Sequence, residues 1–142
     1  MILLDTNVLS ESGRAVPDGN VVAWFDRIDP ATLHICVPVI AELSYGAERF
    51  LKRNGSKRYL ISLELVLTEF RDRILPYEAQ SARLAGRLIA HREAMGRPLD
   101  TSDAMLAAIA IAIAHGATLA TRNTRDFEGL DLKLANPFET GA

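Results

Sequence analysis

From Ala104 to Ala114 the chain runs for eleven residues without a polar side chain. A helix made from such a run has no face to offer to water, so it must be covered on nearly every side. It is too short to cross a bilayer. Its many alanines allow a sheet and neighbouring helices to approach closely. The capping pattern predicts a helix over 103–115, with Thr101 or Ser102 as its N-cap and Gly116 ending it.

The elements around that helix say what covers it. Met1 to Leu4 is short, apolar on both faces and too brief for a helix, the signature of a strand buried between two layers, and Leu33 to Val37 is a second strand by its β-branched content. Ala117 to Thr121 reads the same way, with a shorter strand at Ile74-Leu75 before Pro76. Between them come apolar positions at helical spacing: Val21, Val22, Trp24, Phe25 and Ile28 behind an Asn20 cap; a helix opened by Pro38; Leu60, Leu63, Leu67 and Phe70. A further stripe, Ala82, Ala85, Leu88 and Ile89, is terminated by Gly96-Arg97-Pro98. Strands alternating with helices predict an α/β fold, a central parallel sheet with helices on both faces. No linker or repeat divides the 142 residues, which are expected to form a single domain over 1–142.

Composition excludes several classes. Hydrophobic residues are 49% and charged residues 24%, an ordinary globular balance. The single cysteine, Cys36, sits in an apolar run and reads as a small core residue of a reducing compartment. Met1 leads into a strand with no basic region ahead of it, so no signal peptide is expected and the expected location is cytoplasmic, away from membranes. The net charge of -2 announces no nucleic-acid partner. Locally, however, Arg49, Lys52, Arg53, Lys57 and Arg58 occur without an intervening acid, and Arg122 and Arg125 flank Asn123-Thr124. Such runs are commonly a solvated face; beside a phosphate-cutting centre they would hold a nucleic-acid backbone.

Four acids occur where chemistry is usually built. Asp5 ends the first strand, and in open α/β sheets ligands bind beyond the carboxyl ends of strands; it would equally serve to begin a turn with Thr6 and Asn7. Asp103 lies in the first turn of the buried helix, where the helix dipole favours its ionised form, as it would for any first-turn acid. Glu42 sits about one turn past Pro38 among apolar neighbours, needing a cation or a donor unless it turns out toward Tyr45 or Arg49. Asp126 follows the 117–121 strand. Carboxylates gathered at one edge repel each other, and a hard divalent cation removes that penalty. Oxygen donors without histidine or cysteine spacing point to Mg2+, with Mn2+ as a substitute, rather than zinc. His34, His91 and His115 lie on separate elements with no ligand spacing.

Taken in order, Asp5-Thr6-Asn7, Val39-Ile40-Ala41-Glu42-Leu43, Ser102-Asp103-Ala104-Met105-Leu106-Ala107-Ala108 and Ala120-Thr121-Arg122-Asn123-Thr124-Arg125-Asp126-Phe127 resemble the PIN-domain ribonucleases. More narrowly they resemble the toxin subunits of bacterial VapBC and FitAB toxin-antitoxin pairs. The resemblance runs from Met1 to Asn136-Pro137-Phe138 and implies a PIN-like three-layer sandwich. It also implies a metal-dependent endoribonuclease acting on RNA such as a tRNA or rRNA. Its partner would be an antitoxin that carries a DNA-binding domain, and it would itself be a homodimer or a hetero-oligomer with the antitoxin. Carried over by position, Asp5 and Asp103 would ligate Mg2+ directly, and Glu42 would be a ligand or a water-orienting base. Thr6, Asn7, Ser102, Thr121 and Asn123 would support them. One departure stands out: many relatives have an acid where this chain has Asn123, so Asp126 would supply the fourth carboxylate, directly or through water. Arg49, Lys52, Arg53, Lys57, Arg58, Arg122 and Arg125 become the candidate RNA-binding surface.

Two other readings stand beside this one. A phosphohydrolase of the haloacid dehalogenase kind also begins with a strand and an aspartate, but requires a second aspartate where Asn7 stands. A catalytically silent PIN-like module that only binds RNA or protein has no use for Asp5, Glu42 and Asp103 together.

Overall fold

Five parallel strands lie at the centre of the computed structural model, which describes residues 1–141. They are β1 (Ile2–Leu4), β2 (Leu33–Cys36), β3 (Ile74–Leu75), β4 (Thr118–Ala120) and β5 (Lys133–Ala135). Their order across the sheet is β3-β2-β1-β4-β5. β1 is the middle strand, pairing Ile2 with Leu33 on one side and with Thr118 on the other. Its Leu3 and Leu4 are fully buried, as a strand covered on both faces requires.

Six helices flank the sheet: α1 (Thr6–Ser12), α2 (Gly19–Arg27), α3 (Val37–Asn54), α4 (Arg58–Glu69), α5 (Ala79–Ala94) and α6 (Thr101–Ala112). The expected α/β sandwich is therefore present. The chain steps from β1 to β2 to β3 in one direction, then returns to place β4 on β1's free side. Right-handed crossovers consequently put α1 to α4 on one face and α5 with α6 on the other. The order reverses between β1 and β4, and the crevice beyond their carboxyl ends is where such sheets bind ligands.

The apolar run behaves as its composition demands. Ala104, Leu106, Ala107, Ala108, Ile109 and Ala110 are all buried in α6. Each fully buried Leu or Ile contributes about 1.5–3 kcal/mol relative to exposure. The helix ends at Ala112, three residues before the expected His115. The amides of Ile113 and Ala114 both bond to Ile109 O, widening the last turn, and Gly116 turns the chain with φ +79°.

Other boundaries also differ from expectation. Asp18, not Asn20, caps α2, accepting from the Asn20 and Val21 amides at 2.8 and 3.4 Å. Asn20 instead reaches Phe138 O at 2.9 Å. Asp100, not Thr101 or Ser102, caps α6 and accepts from Ser102 N–H at 2.9 Å. Val37 belongs to α3 rather than to β2, and β4 is shorter than 117–121. Two elements were not expected at all, α1 directly after Asp5 and the edge strand β5. Among the described residues no helix is long and apolar enough to cross a membrane.

Candidate metal and nucleic-acid site

Asp5 follows β1 at the β1–β4 crevice and is 6% exposed. It has extended backbone geometry and caps α1: its Oδ1 accepts from Thr6 N–H at 2.7 Å. The other oxygen, Oδ2, accepts from Thr121 Oγ1 at 2.7 Å and from Asn7 Nδ2 at 3.3 Å. Thr121, fully buried at the end of β4, accepts in turn from Asn123 N–H at 3.1 Å. Asn7 Oδ1 accepts from Arg122 N–H at 3.2 Å. The sheet ladder continues through Asp5, whose N–H donates to Ala120 O at 2.9 Å. Its carboxylate is thus fixed by both strands. Burial still pushes its pKa above the ordinary carboxylate value, against the pull of these three donors, and the charge of Asp126 adds to the rise.

Asp103, in the first turn of α6, is half-buried, and its pKa is raised to about 7. Burial is the main cause, followed by the negative charges of Asp5, Asp100, Asp126 and Glu42. Glu42 projects from the second turn of α3 and is exposed, the outward of the two orientations its sequence context left open. Partial desolvation still raises its pKa, with Asp5 and Asp100 adding repulsion. The nearby hydroxyls of Thr6 and Ser102 pull it the other way. Thr6 Oγ1 is nonetheless buried and outside hydrogen-bonding geometry with any partner. Asp126 is exposed on a 3-10 turn, Thr124–Phe127, that the fully buried Phe127 anchors to the core. Asn123 N-caps that turn by position, and its carbonyl accepts from Asp126 N–H at 3.0 Å.

These acids act on one another's charge, so the structure gathers Asp5, Glu42, Asp103 and Asp126 into one electrostatic neighbourhood. Asp100 joins them, and the sequence reading passed over it. An aspartate two residues before Ser102 and directly ahead of a helical run is a strong N-cap signal that would have found it.

Among the described residues no three His, Cys, Asp or Glu side chains close around a single point. Mg2+ keeps several waters and is bound through one or two carboxylates rather than by an all-protein cage. The unsatisfied Thr6 hydroxyl beside Glu42 and the all-oxygen donor set fit the same ion. Asp5 and Asp103 could hold it, with Glu42 and Asp126 reaching it through water.

The basic residues divide into two groups. Arg122 and Arg125 are exposed on the loop that carries Asp126, and the Arg122 guanidinium lies over the Phe138 ring at 4.6 Å. Arg49, Lys52, Arg53, Lys57 and Arg58 are all exposed, but on the far half of α3 and the turn into α4, which Gly55 makes with φ +68°. Arg49 and Arg53 follow Glu42 by seven and eleven residues, so they share its helix face, roughly 10 and 16 Å along the axis. Between α1, α3 and α4 runs a mostly apolar groove of about 600 Å3. It opens at Thr6, Asn7 and Glu42 and continues past Leu43, Phe50 and Tyr59. Cys36, fully buried, has its thiol pushed up to about 12 by burial, with the charges of Asp5 and Glu42 adding to the rise.

Comparison with known proteins agrees with this architecture. The PIN domain family model matches residues 2–132. The VapC ribonuclease Y4jK of Sinorhizobium fredii is 36% identical over 142 residues, covering 98% of this chain and 99% of the relative. Toxin FitB of Neisseria gonorrhoeae is 34% identical over 141 residues, with 97% and 99% covered. The solved structure of FitAB bound to an IR36 DNA fragment superposes with a TM-score of 0.86 at 32% identity, covering 100% of this chain and 99% of that one. The chain belongs to the PIN-domain family.

Proposed function

We propose that this chain is the toxin of a VapBC- or FitAB-type toxin-antitoxin pair and that it hydrolyses RNA phosphodiesters with Mg2+ at Asp5, Glu42, Asp103 and Asp126. What supports the proposal is the placement of these acids about the β1–β4 crevice, where burial and neighbouring negative charge raise the pKa values of Asp5, Glu42 and Asp103. Four carboxylates in one field are costly without a cation. A divalent cation held by these carboxylates would supply positive charge for the phosphoryl oxygens and lower the pKa of a water for in-line attack.

The chain's own groups do the rest. Thr6, Asn7 and Thr121 hold the Asp5 carboxylate in one orientation, so its share of the site needs no rearrangement. Asp103, whose pKa burial raises to about 7, would hold a cation in its ionised form, because ligation requires the carboxylate. Glu42, exposed and with a raised pKa, orients the attacking water and accepts its proton. Arg122 and Arg125 bind phosphates next to the scissile bond, and Arg49 and Arg53 extend that path along α3. Water attack of this kind needs no 2'-hydroxyl and leaves a 5' phosphate.

The partner reading rests on FitAB, solved with DNA. The apolar groove beside Glu42 would take an antitoxin segment whose cationic residue meets the acids, while the antitoxin's other end binds DNA. Exposed Ile61 and Leu65, one turn apart on α4, are apolar surface for a second copy. The test is incubation of the purified chain with structured RNA, with and without Mg2+. Metal-dependent cleavage leaving 5' phosphates, lost in Asp5→Asn, is the expected result. Cleavage that ignores both the metal and Asp5→Asn sinks the proposal, and RNA binding without cleavage favours the silent module.

A further inference from the structure

Arg92, near the end of α5, is 4% exposed despite its charge. No ion pair among the described residues involves it. Its guanidinium instead bridges two backbone carbonyls. Nε donates to Arg97 O and Nη1 donates to Asp126 O, each at 3.0 Å. Those carbonyls belong to different segments, the turn that leads from α5 to Asp100 and Asp103, and the 3-10 turn that carries Asp126. Arg97 adds a second tie between the same segments, its Nη2 donating to Arg125 O at 3.4 Å, while its N–H donates to Arg92 O at 2.9 Å and closes the turn after α5.

A buried cation without a carboxylate is costly, so its contacts must be matched closely by the chain around it. The guanidinium is planar and its donors are fixed in angle, which holds the two carbonyls at a set separation. What they separate is acidic. Asp126 and Asp103 repel each other, and Asp126 rides on a turn of only four residues. Phe127 anchors the turn to the core, but without the Arg92 tie the Asp126 backbone would be free to shift outward and relieve that repulsion, leaving a wider and less cation-ready site.

We propose that Arg92 is a positioning residue that holds Asp126 in register with Asp103 and so sets the affinity of the acidic cluster for a divalent cation. The inference rests on the metal-site reading above. Lysine at position 92 keeps the charge but offers a point donor in place of the fork, so it cannot bridge both carbonyls at their present geometry.

The test is Mn2+ titration followed by electron paramagnetic resonance, on the full chain and on Arg92→Lys and Arg97→Ala, beside thermal unfolding without metal and RNA cleavage. Arg92→Lys is expected to fold and to bind Mn2+ roughly 10-fold more weakly, as when a partner that orients a ligand is lost. Arg97→Ala, which removes only the longer tie, is expected to lose less. A purely structural arginine would lower the unfolding temperature and leave the Mn2+ affinity of the folded protein unchanged. That outcome in Arg92→Lys overturns the proposal, and if Arg92→Lys does not fold, unchanged affinity in Arg97→Ala overturns it. A parent chain that binds Mn2+ but cleaves no RNA removes the nuclease reading while the brace stands; one that binds no Mn2+ removes both.

Discussion

Asp103→Asn should stabilise the metal-free chain at neutral and alkaline pH while abolishing the contribution of this position to cation binding. The folded-state pKa of Asp103, about 7, lies above its ordinary value of 3.8. Between those values the folded form holds a proton that the unfolded form has released. The stability from this group is therefore fully present below about pH 4 and is lost as pH rises through 7. For a carboxyl wholly out of water that displacement would be worth about 4 kcal/mol, at 1.36 kcal/mol per pH unit. Asp103 is only half-buried, so solvent screening reduces the figure to on the order of 1–2 kcal/mol. The gain an ionised first-turn acid draws from the helix dipole, about 0.3–1 kcal/mol, opposes this and is smaller. An asparagine has the same shape and never ionises. Urea unfolding in EDTA at pH 4, 6 and 8, extrapolated to water, is the assay. The two chains should coincide near pH 4 and separate by pH 8, with Asp103→Asn the more stable. Adding Mg2+ at pH 8 should then raise the stability of the parent more than that of the variant. A variant less stable than its parent at pH 8 in EDTA, or an offset that is the same at every pH, would refute the reasoning.

Thr121→Val removes the 2.7 Å hydrogen bond to Asp5 Oδ2 without changing the volume of the side chain. Leaving a buried carboxylate oxygen short of a donor should cost about 1–3 kcal/mol in urea unfolding. With that donor gone, the Asp5 pKa rises further, so the loss should be larger at pH 8 than at pH 4; equal losses would mean that Thr121 serves packing alone. Arg49→Ala with Arg53→Ala tests the RNA path along α3. The plot of log affinity against log salt should flatten by about 0.7 for each phosphate of single-stranded RNA that the protein no longer neutralises, while cleavage at saturating RNA stays the same. An unchanged slope would remove this face of α3 from the RNA surface.

The parts of this fold that the sequence displays are those whose cause lies within a few residues. β1 is legible because Ile2, Leu3 and Leu4 are apolar on both faces, and α6 because nothing polar interrupts 104–114. α1 was hidden for a related reason. Thr6-Asn7-Val8-Leu9-Ser10-Glu11-Ser12 is short and mostly polar, and read alone it is a turn; what makes it a helix is Asp5 capping it and Val8 and Leu9 burying against the core. β5 is a three-residue edge strand whose register is set by its pairing with β4, a pairing that no local pattern announces. The site divides in the same way. Asp5 posed a choice between an acid that begins a turn and an acid that serves a site, and its two oxygens show that it does more than begin a turn. Oδ1 caps α1 through a neighbour in sequence, whereas Oδ2 is fixed by Thr121 from 116 residues away. The first interaction is local and could be read; the second exists only once β4 lies beside β1. Capping is what aims the carboxylate across the sheet, and the cross-sheet hydrogen bond is what stops it turning. A helix start at the switch point of a parallel sheet is therefore a means of placing a charge, and the local signal for the cap is half of the signal for the site.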